Sequence, residues 1–177
     1  MALILSSRYQ ELLIFANLEL DTKMTGFSLN SVELLRFQQN RYPFLMIDHV
    51  EWVVPGVSAR GFKNLTSNEW FFPIHFPGHP NMPGGLQIEA LAQMLTISIT
   101  TLPGLEGKTT RALSYKVRFR KEVVPGDRFE IETELVSWSR GVARGIGFGR
   151  TNGTIACEAE MLITIPEILE NFLPKVN

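Results

Sequence analysis

The chain has 177 residues, a formal net charge of −1, 45% apolar residues and 20% charged residues. That size and balance suit one domain around one core and exclude a disordered polar chain. The near-zero charge gives no general attraction to nucleic acid or to an anionic membrane.

The N-terminus, MALILSSRYQELLIFANLEL, lacks a basic leader region, and Arg8, Glu11 and Glu19 interrupt its apolar run. Neither a signal peptide nor a membrane span is expected. Cys157 is the only cysteine, so no internal disulfide can form, which fits a reducing, cytoplasmic setting. Residues 1–29 read as an extension and 30–177 as a single domain. NSVELLRF places Asn30 or Ser31 as an N-cap before apolar residues at helical spacing. FLMIDHVEWVV reads as a strand stopped by Pro55-Gly56, and VSARGFKNL as its hairpin partner. Residues 68–84, dense in aromatics, prolines and glycines, read as an ordered loop. From Leu86 to about Leu102 the chain is apolar on nearly every side, which predicts a helix surrounded by protein and ended by Pro103-Gly104.

Beyond it the pattern is strand. RALSYKVRFRKEVV runs to the turn PGD, and RFEIETELVSWS puts Phe129, Ile131, Thr133 and Leu135 on one face. GVARGIGFGRT and TIACEAEMLITI meet across Asn152-Gly153, a strong hairpin signal, and PEILENFL reads as a short helix. The class is α+β: an antiparallel sheet around one buried helix.

The chemistry concentrates in HFPGHPNMPGGLQIEALAQ. Glu89 is the only formally charged side chain between Trp70 and Leu105. Its apolar neighbours make an ionised carboxylate costly, so it faces either a cleft or an interface, or else a structural ion pair. Gln93 and Thr96 follow at i+4 and i+7, giving one polar stripe on an apolar helix. His75 sits among Phe72, Ile74 and Phe76, as a core or loop histidine or as an acid–base group. His79 lies four residues on, but Pro77, Gly78 and Pro80 forbid a helix there, and no metal site is expected. Pro83 suits the first helical position. Gly84 and Gly85 leave first-turn N–H groups open to a carbonyl oxygen, unless they serve only close packing. Imidazole, carboxylate and exposed amides together suit proton abstraction alpha to a carbonyl.

The same stretch closely resembles the active-site motif of the beta-hydroxyacyl-acyl-carrier-protein dehydratases of bacterial fatty-acid synthesis. RYPFLMIDHV, KVRFRKEVVPGD and SRGVARGIGFGRTNGTIACEAEM match further segments of that family in the same order, so the resemblance runs from about residue 34 to 165. It implies a hot-dog fold, a curved antiparallel sheet wrapped round one long helix. It also implies a homodimer with shared active sites, often assembled further into a trimer of dimers. The implied reaction is reversible loss of water from a 3-hydroxyacyl thioester to give a trans-2-enoyl thioester, without cofactor or metal. By resemblance, His75 of one protomer removes the C2 proton and Glu89 of the other protonates the leaving hydroxyl. Gly84, with Gly85, polarises the thioester carbonyl. The acyl chain needs an apolar tunnel, for which Phe71, Phe72, Leu86, Met94 and Phe119 are the candidates, although each also suits core packing. The acyl carrier protein is acidic, and Lys116, Arg118 and Arg120 on one strand face, with Lys121 adjacent, offer a docking patch. A solvated edge strand protected by its charges is the rival reading.

Several positions depart from the family pattern. Ile74 stands where a small residue is common, Asn40 where histidine is common, and His49 where arginine is common. Gly85 stands where many relatives carry valine or cysteine. Asn81-Met82-Pro83-Gly84 and Ile74 lean towards the variant that also isomerises the double bond, whereas Glu89 does not. These departures would suit polyketide or aryl-polyene synthesis as well as fatty-acid synthesis. The rival functions are a hot-dog thioesterase, a non-catalytic acyl-binding module and a subunit supplying part of a composite site.

Overall fold

The computed structural model describes residues 26–174. In chain order the elements are β1 (Phe27–Leu29), α1 (Leu34–Phe37), β2 (His49–Val54), β3 (Ser58–Asn64) and α2 (Gly84–Thr100). They continue with β4 (Arg111–Phe119), β5 (Arg128–Ser139), β6 (Val142–Thr151), β7 (Thr154–Thr164) and α3 (Pro166–Leu169), which runs into a short 3₁₀ turn at Glu170–Phe172. One seven-stranded sheet has the order β1-β2-β3-β5-β6-β7-β4, antiparallel at every pairing. It wraps α2, which is the hot-dog arrangement that the resemblance implies.

Every residue of α2 from Ala90 to Thr100 is buried. Hydroxyl groups at its C-terminal end are satisfied locally: Ser98 donates to the Leu95 carbonyl, Thr100 to Thr96 and the C-cap Thr101 to Ile97. Bonding back to a carbonyl three or four residues earlier lets these polar side chains sit inside the core. The sheet can close on the helix because β6 presents Gly145 to it. A Cβ on Gly145 would lie 2.5 Å from the Leu95 side chain, so no larger residue fits at that approach. The inward residues of β5 are those expected from alternation: Phe129, Ile131, Thr133 and Leu135 are all buried.

The Asn152-Gly153 turn forms as expected, with φ of 50° and 73°, the left-handed pair that a tight hairpin requires. Arg140-Gly141 makes a second turn of that kind between β5 and β6, with φ of 50° and 79°. Asn30, rather than Ser31, caps the first helical turn. Its Oδ1 accepts from the N–H groups of Val32 and Glu33, while Glu33 accepts from the N–H of Asn30, a capping box.

Three expectations need correction. The strand expected over FLMIDHVEWVV begins only at His49: Phe44 and Leu45 N–H donate back to the Arg41 carbonyl, the Gln93 side chain holds Phe44 and Met46, and β3 is reached only at Asp48, whose N–H donates to the Phe62 carbonyl. Gln93 Oε1 accepts from Met46 N–H, and Asp48 accepts from Asn64 N–H and Lys63. The strand expected to reach residue 124 ends at Phe119. Phe27–Leu29, read as part of an extension, pairs with β2 as an edge strand; residues 1–25 of that segment lie outside the described residues. No described helix is long and apolar enough to cross a membrane.

Candidate active site

Residues 70–83 approach the start of α2 as a fixed loop. Trp70 Nε1 donates to the Pro43 carbonyl, Phe71 and Phe72 are buried, and Met82 N–H donates to the Val123 carbonyl. The His75 ring stacks on Phe76 at 4.2 Å between centroids. Its Nδ1 lies 3.0 Å from the Asn81 carbonyl oxygen. A carbonyl only accepts, so in the neutral ring Nδ1 carries the hydrogen and Nε2 keeps its lone pair. His79 is occupied elsewhere, with Nε2 3.1 Å from Glu122.

Pro83 is the N-cap of α2, not its first helical residue as the sequence suggested. Leu86 and Gln87 both donate to the Pro83 carbonyl, while Gly84 and Gly85 N–H have no acceptor among the described residues. Gly85 faces open space, and the ring of Phe119 lies over Gly84, 2.6 Å from where a Cβ would stand. The helix start therefore offers free amides beside an aromatic wall.

Glu89 projects into a cavity of about 220 Å³ between α2, β4 and the 38–44 segment. Gln93 and Thr96 line the same cavity, so the stripe expected at i, i+4 and i+7 is real. Glu89 Oε1 accepts from Gln93 Nε2 at 2.8 Å and from Asn40 Nδ2 at 3.3 Å. Gln93 is itself locked, because the same Nε2 donates to the Phe44 carbonyl at 2.8 Å and its Oε1 accepts from Met46 N–H at 2.8 Å. Amide donors occupy Oε1, so a proton on this carboxyl belongs on Oε2. Burial raises the Glu89 pKa above the ordinary carboxylate value, and the Gln93 hydrogen bond partly opposes that rise. His75 is not among the residues lining this cavity.

The other candidates separate by exposure. Phe71, Phe72, Leu86 and Met94 belong to the buried core, so they fill it rather than face an opening. Phe119 is half exposed. The basic patch is exposed but not free: Lys116 pairs with Glu160 at 3.3 Å, and Arg120 pairs with Glu158 at 2.7 Å. Arg118 lies 3.9 Å from Glu158, and Lys121 donates to the Thr151 carbonyl. Asp48 and His49 make structural contacts: Asp48 and Glu69 flank the buried Lys63, and His49 packs on Phe62. Tyr115 and Thr110 line the Glu89 cavity and were not singled out from sequence. Tyr115 alternates with Leu113, Val117 and Phe119 along β4, a pattern that could have revealed it.

A model of the FabA-like domain matches residues 39–162. A relative from Moorella thermoacetica, named 3-hydroxyacyl-[acyl-carrier-protein] dehydratase FabZ, is 42% identical over 132 residues, which are 74% of this chain and 92% of the relative. The chain belongs to the FabA-like family. A second relative of this FabA-like domain, from Roseiflexus castenholzii and bearing the same name, is 41% identical over 77% of this chain and 96% of its own length. A solved dehydratase heterocomplex, ApeI:P from Xenorhabdus doucetiae, superposes with a TM-score of 0.67 over 80% of this chain and 97% of its own. At 16% identity that likeness speaks for the fold of the FabA-like domain. The family match spans both His75 and Glu89.

Proposed function

We propose that this chain is a 3-hydroxyacyl-[acyl-carrier-protein] dehydratase acting through His75 and Glu89. The observation that carries the reading is the setting of the two groups, an imidazole held through Nδ1 by the Asn81 carbonyl and a part-buried carboxyl held by the Gln93 amide. His75 presents a lone pair at Nε2, and Glu89 holds its proton more tightly than an ordinary carboxyl. His75 Nε2 takes the C2 proton, and the electron pair is delocalised into the thioester carbonyl, which Gly84 and Gly85 N–H stabilise. The C3–O bond then breaks as Glu89 Oε2–H protonates the leaving oxygen, so the products are water and the trans-2-enoyl thioester. Histidine ends protonated and glutamate ionised, and solvent restores both.

The site is shared between two copies. His75 does not line the Glu89 cavity. Among the described residues β4 bonds only to β7, and it carries half-exposed Leu113, Tyr115 and Phe119, of which Tyr115 lines the cavity. A second β4 alongside continues the sheet and delivers its own His75 loop. Higher assembly into a trimer of dimers follows the family resemblance. Phe119 forms the wall nearest the thioester, and Lys116, Arg118, Arg120 and Lys121 meet the carrier protein. A cytoplasmic location goes with that partner.

Enoyl absorbance with 3-hydroxybutyryl and crotonyl thioesters, followed in both directions, tests the chemistry. His75→Ala and Glu89→Gln should each lower turnover by at least ~10²-fold while the protein stays folded. Retention of activity by either variant would remove that residue from the mechanism, and release of free thiol instead would turn the reading to a thioesterase. In the same assay Phe119→Ala should lower kcat/KM alike for four-carbon and eight-carbon chains, since both carry the thioester it borders; an unchanged kcat/KM removes it from the wall.

A further inference from the structure

The cavity beside Glu89 is not the apolar tunnel that an alkyl chain would select. Seven residues along α2, about 10 Å at 1.5 Å per residue, Thr96 Oγ1 meets Thr110 Oγ1 at 3.2 Å. Thr96 and Gln38, only 4% and 3% exposed, both line the cavity. Gln38 Nε2 makes one long bond, 3.5 Å to the Gln93 carbonyl, and so keeps a second N–H to give. Tyr115 stands across the cavity on β4 with no hydrogen-bond partner among the described residues. Burial and the nearby Glu89 push its pKa up to about 12, so its hydroxyl remains a neutral donor. Against these, Phe44 and Ile163 are the large apolar members of the lining. Methylene groups packed here would leave the spare donors of buried Gln38 and half-exposed Tyr115 unanswered, whereas an oxygen on the chain would answer them.

Resting on the dehydratase reading, we infer that the cavity receives the distal part of an oxygenated acyl chain, with a hydroxyl or carbonyl bonded by Thr96, Thr110, Gln38 and Tyr115. The second copy docked on β4 roofs the cavity and keeps bulk water from competing for those groups. A chain of about eight carbons reaches from C3 at Glu89 towards Thr96, given the helix rise that separates them.

The test compares 3-hydroxyoctanoyl with 3,8-dihydroxyoctanoyl pantetheine thioester. The added hydroxyl should raise kcat/KM about tenfold, the worth of one well-made buried hydrogen bond. In Thr110→Val and in Tyr115→Phe the ratio between the two substrates should fall towards one. The ratio is internal to each variant, so a general loss of activity does not mimic the effect, and a poorly folding variant leaves the other to decide. Equal or better use of the plain chain by the unaltered protein overturns the inference. Calorimetric binding of octanoyl and 8-hydroxyoctanoyl pantetheine thioesters asks the same question without turnover. A silent dehydration assay would remove the proposed reaction, while tighter binding of the hydroxylated thioester would still sustain the oxygen-binding cavity and equal binding would end it.

Discussion

Glu89 sets a stability cost against a chemical use. Burial disfavours its ionised form, and the raised pKa means that folding favours the protonated carboxyl. Relative to an uncharged side chain, Glu89 therefore weakens the fold at neutral pH. That penalty fades as pH falls through its own raised pKa, and it is gone below the ordinary carboxylate range. Glu89→Gln keeps an oxygen for Gln93 and Asn40 to bond and removes the charge. Thermal unfolding should show the variant more stable by ~2–4 °C at about pH 8, with the difference vanishing near pH 4. An equal or lower midpoint at the higher pH would mean that the carboxyl carries no burial penalty. The glutamate was legible in sequence, because a lone charge in a long apolar run has few explanations. Its Asn40 contact was not, since 49 residues separate the pair and only the folded chain brings them together.

Strand β4 is the element whose role is most open to test. Its outward face alternates Lys116 and Arg118 opposite Glu160 and Glu158 of β7, and Arg144 of β6 approaches Glu160 at 3.7 Å. Exposed pairs of this kind add little to stability and leave a positive excess at the edge. Charge reversal at Lys116 and Arg118 should raise KM for carrier-linked substrate several-fold, with the larger effect at low salt. A short pantetheine thioester should be unaffected. Equal KM changes for both substrates would make the stripe an edge guard alone. Alternation revealed the cations from sequence, but not the glutamates facing them, because strand order is a property of the sheet. The irregular stretch before His49 was hidden for a related reason: its apolar composition suits a strand, but the Arg41 carbonyl and the Gln93 amide take up its backbone.

At the scale of the whole molecule, one polypeptide holds both groups of the proposed reaction, His75 and Glu89, yet does not gather them into one cavity. If two copies complete each site, inactive His75→Ala and inactive Glu89→Gln should rescue one another. Co-refolding equal amounts makes about half of the dimers mixed, each with one intact site, so about a quarter of the original activity should return. No recovery, with mixed dimers verified by mass, would place both groups in one copy. The architecture itself was readable because an all-round apolar helix among alternating strands has one economical solution: a sheet wrapped around it. The polar stripe of Glu89, Gln93 and Thr96 was readable from helical spacing, whereas its partners from other elements were not. Gln38, Thr96 and Thr110 matter through what faces them across the cavity.

Gln93 ties the carbonyl of Phe44, the N–H of Met46 and the carboxylate of Glu89 through one amide. Over generations that single knot constrains drift. A replacement at position 93 is tried twice, once by whether the 44–46 backbone still finds partners and once by whether the acid still points its proton outward. Neighbouring surface positions can wander one at a time, but this loop and this acid can change only together.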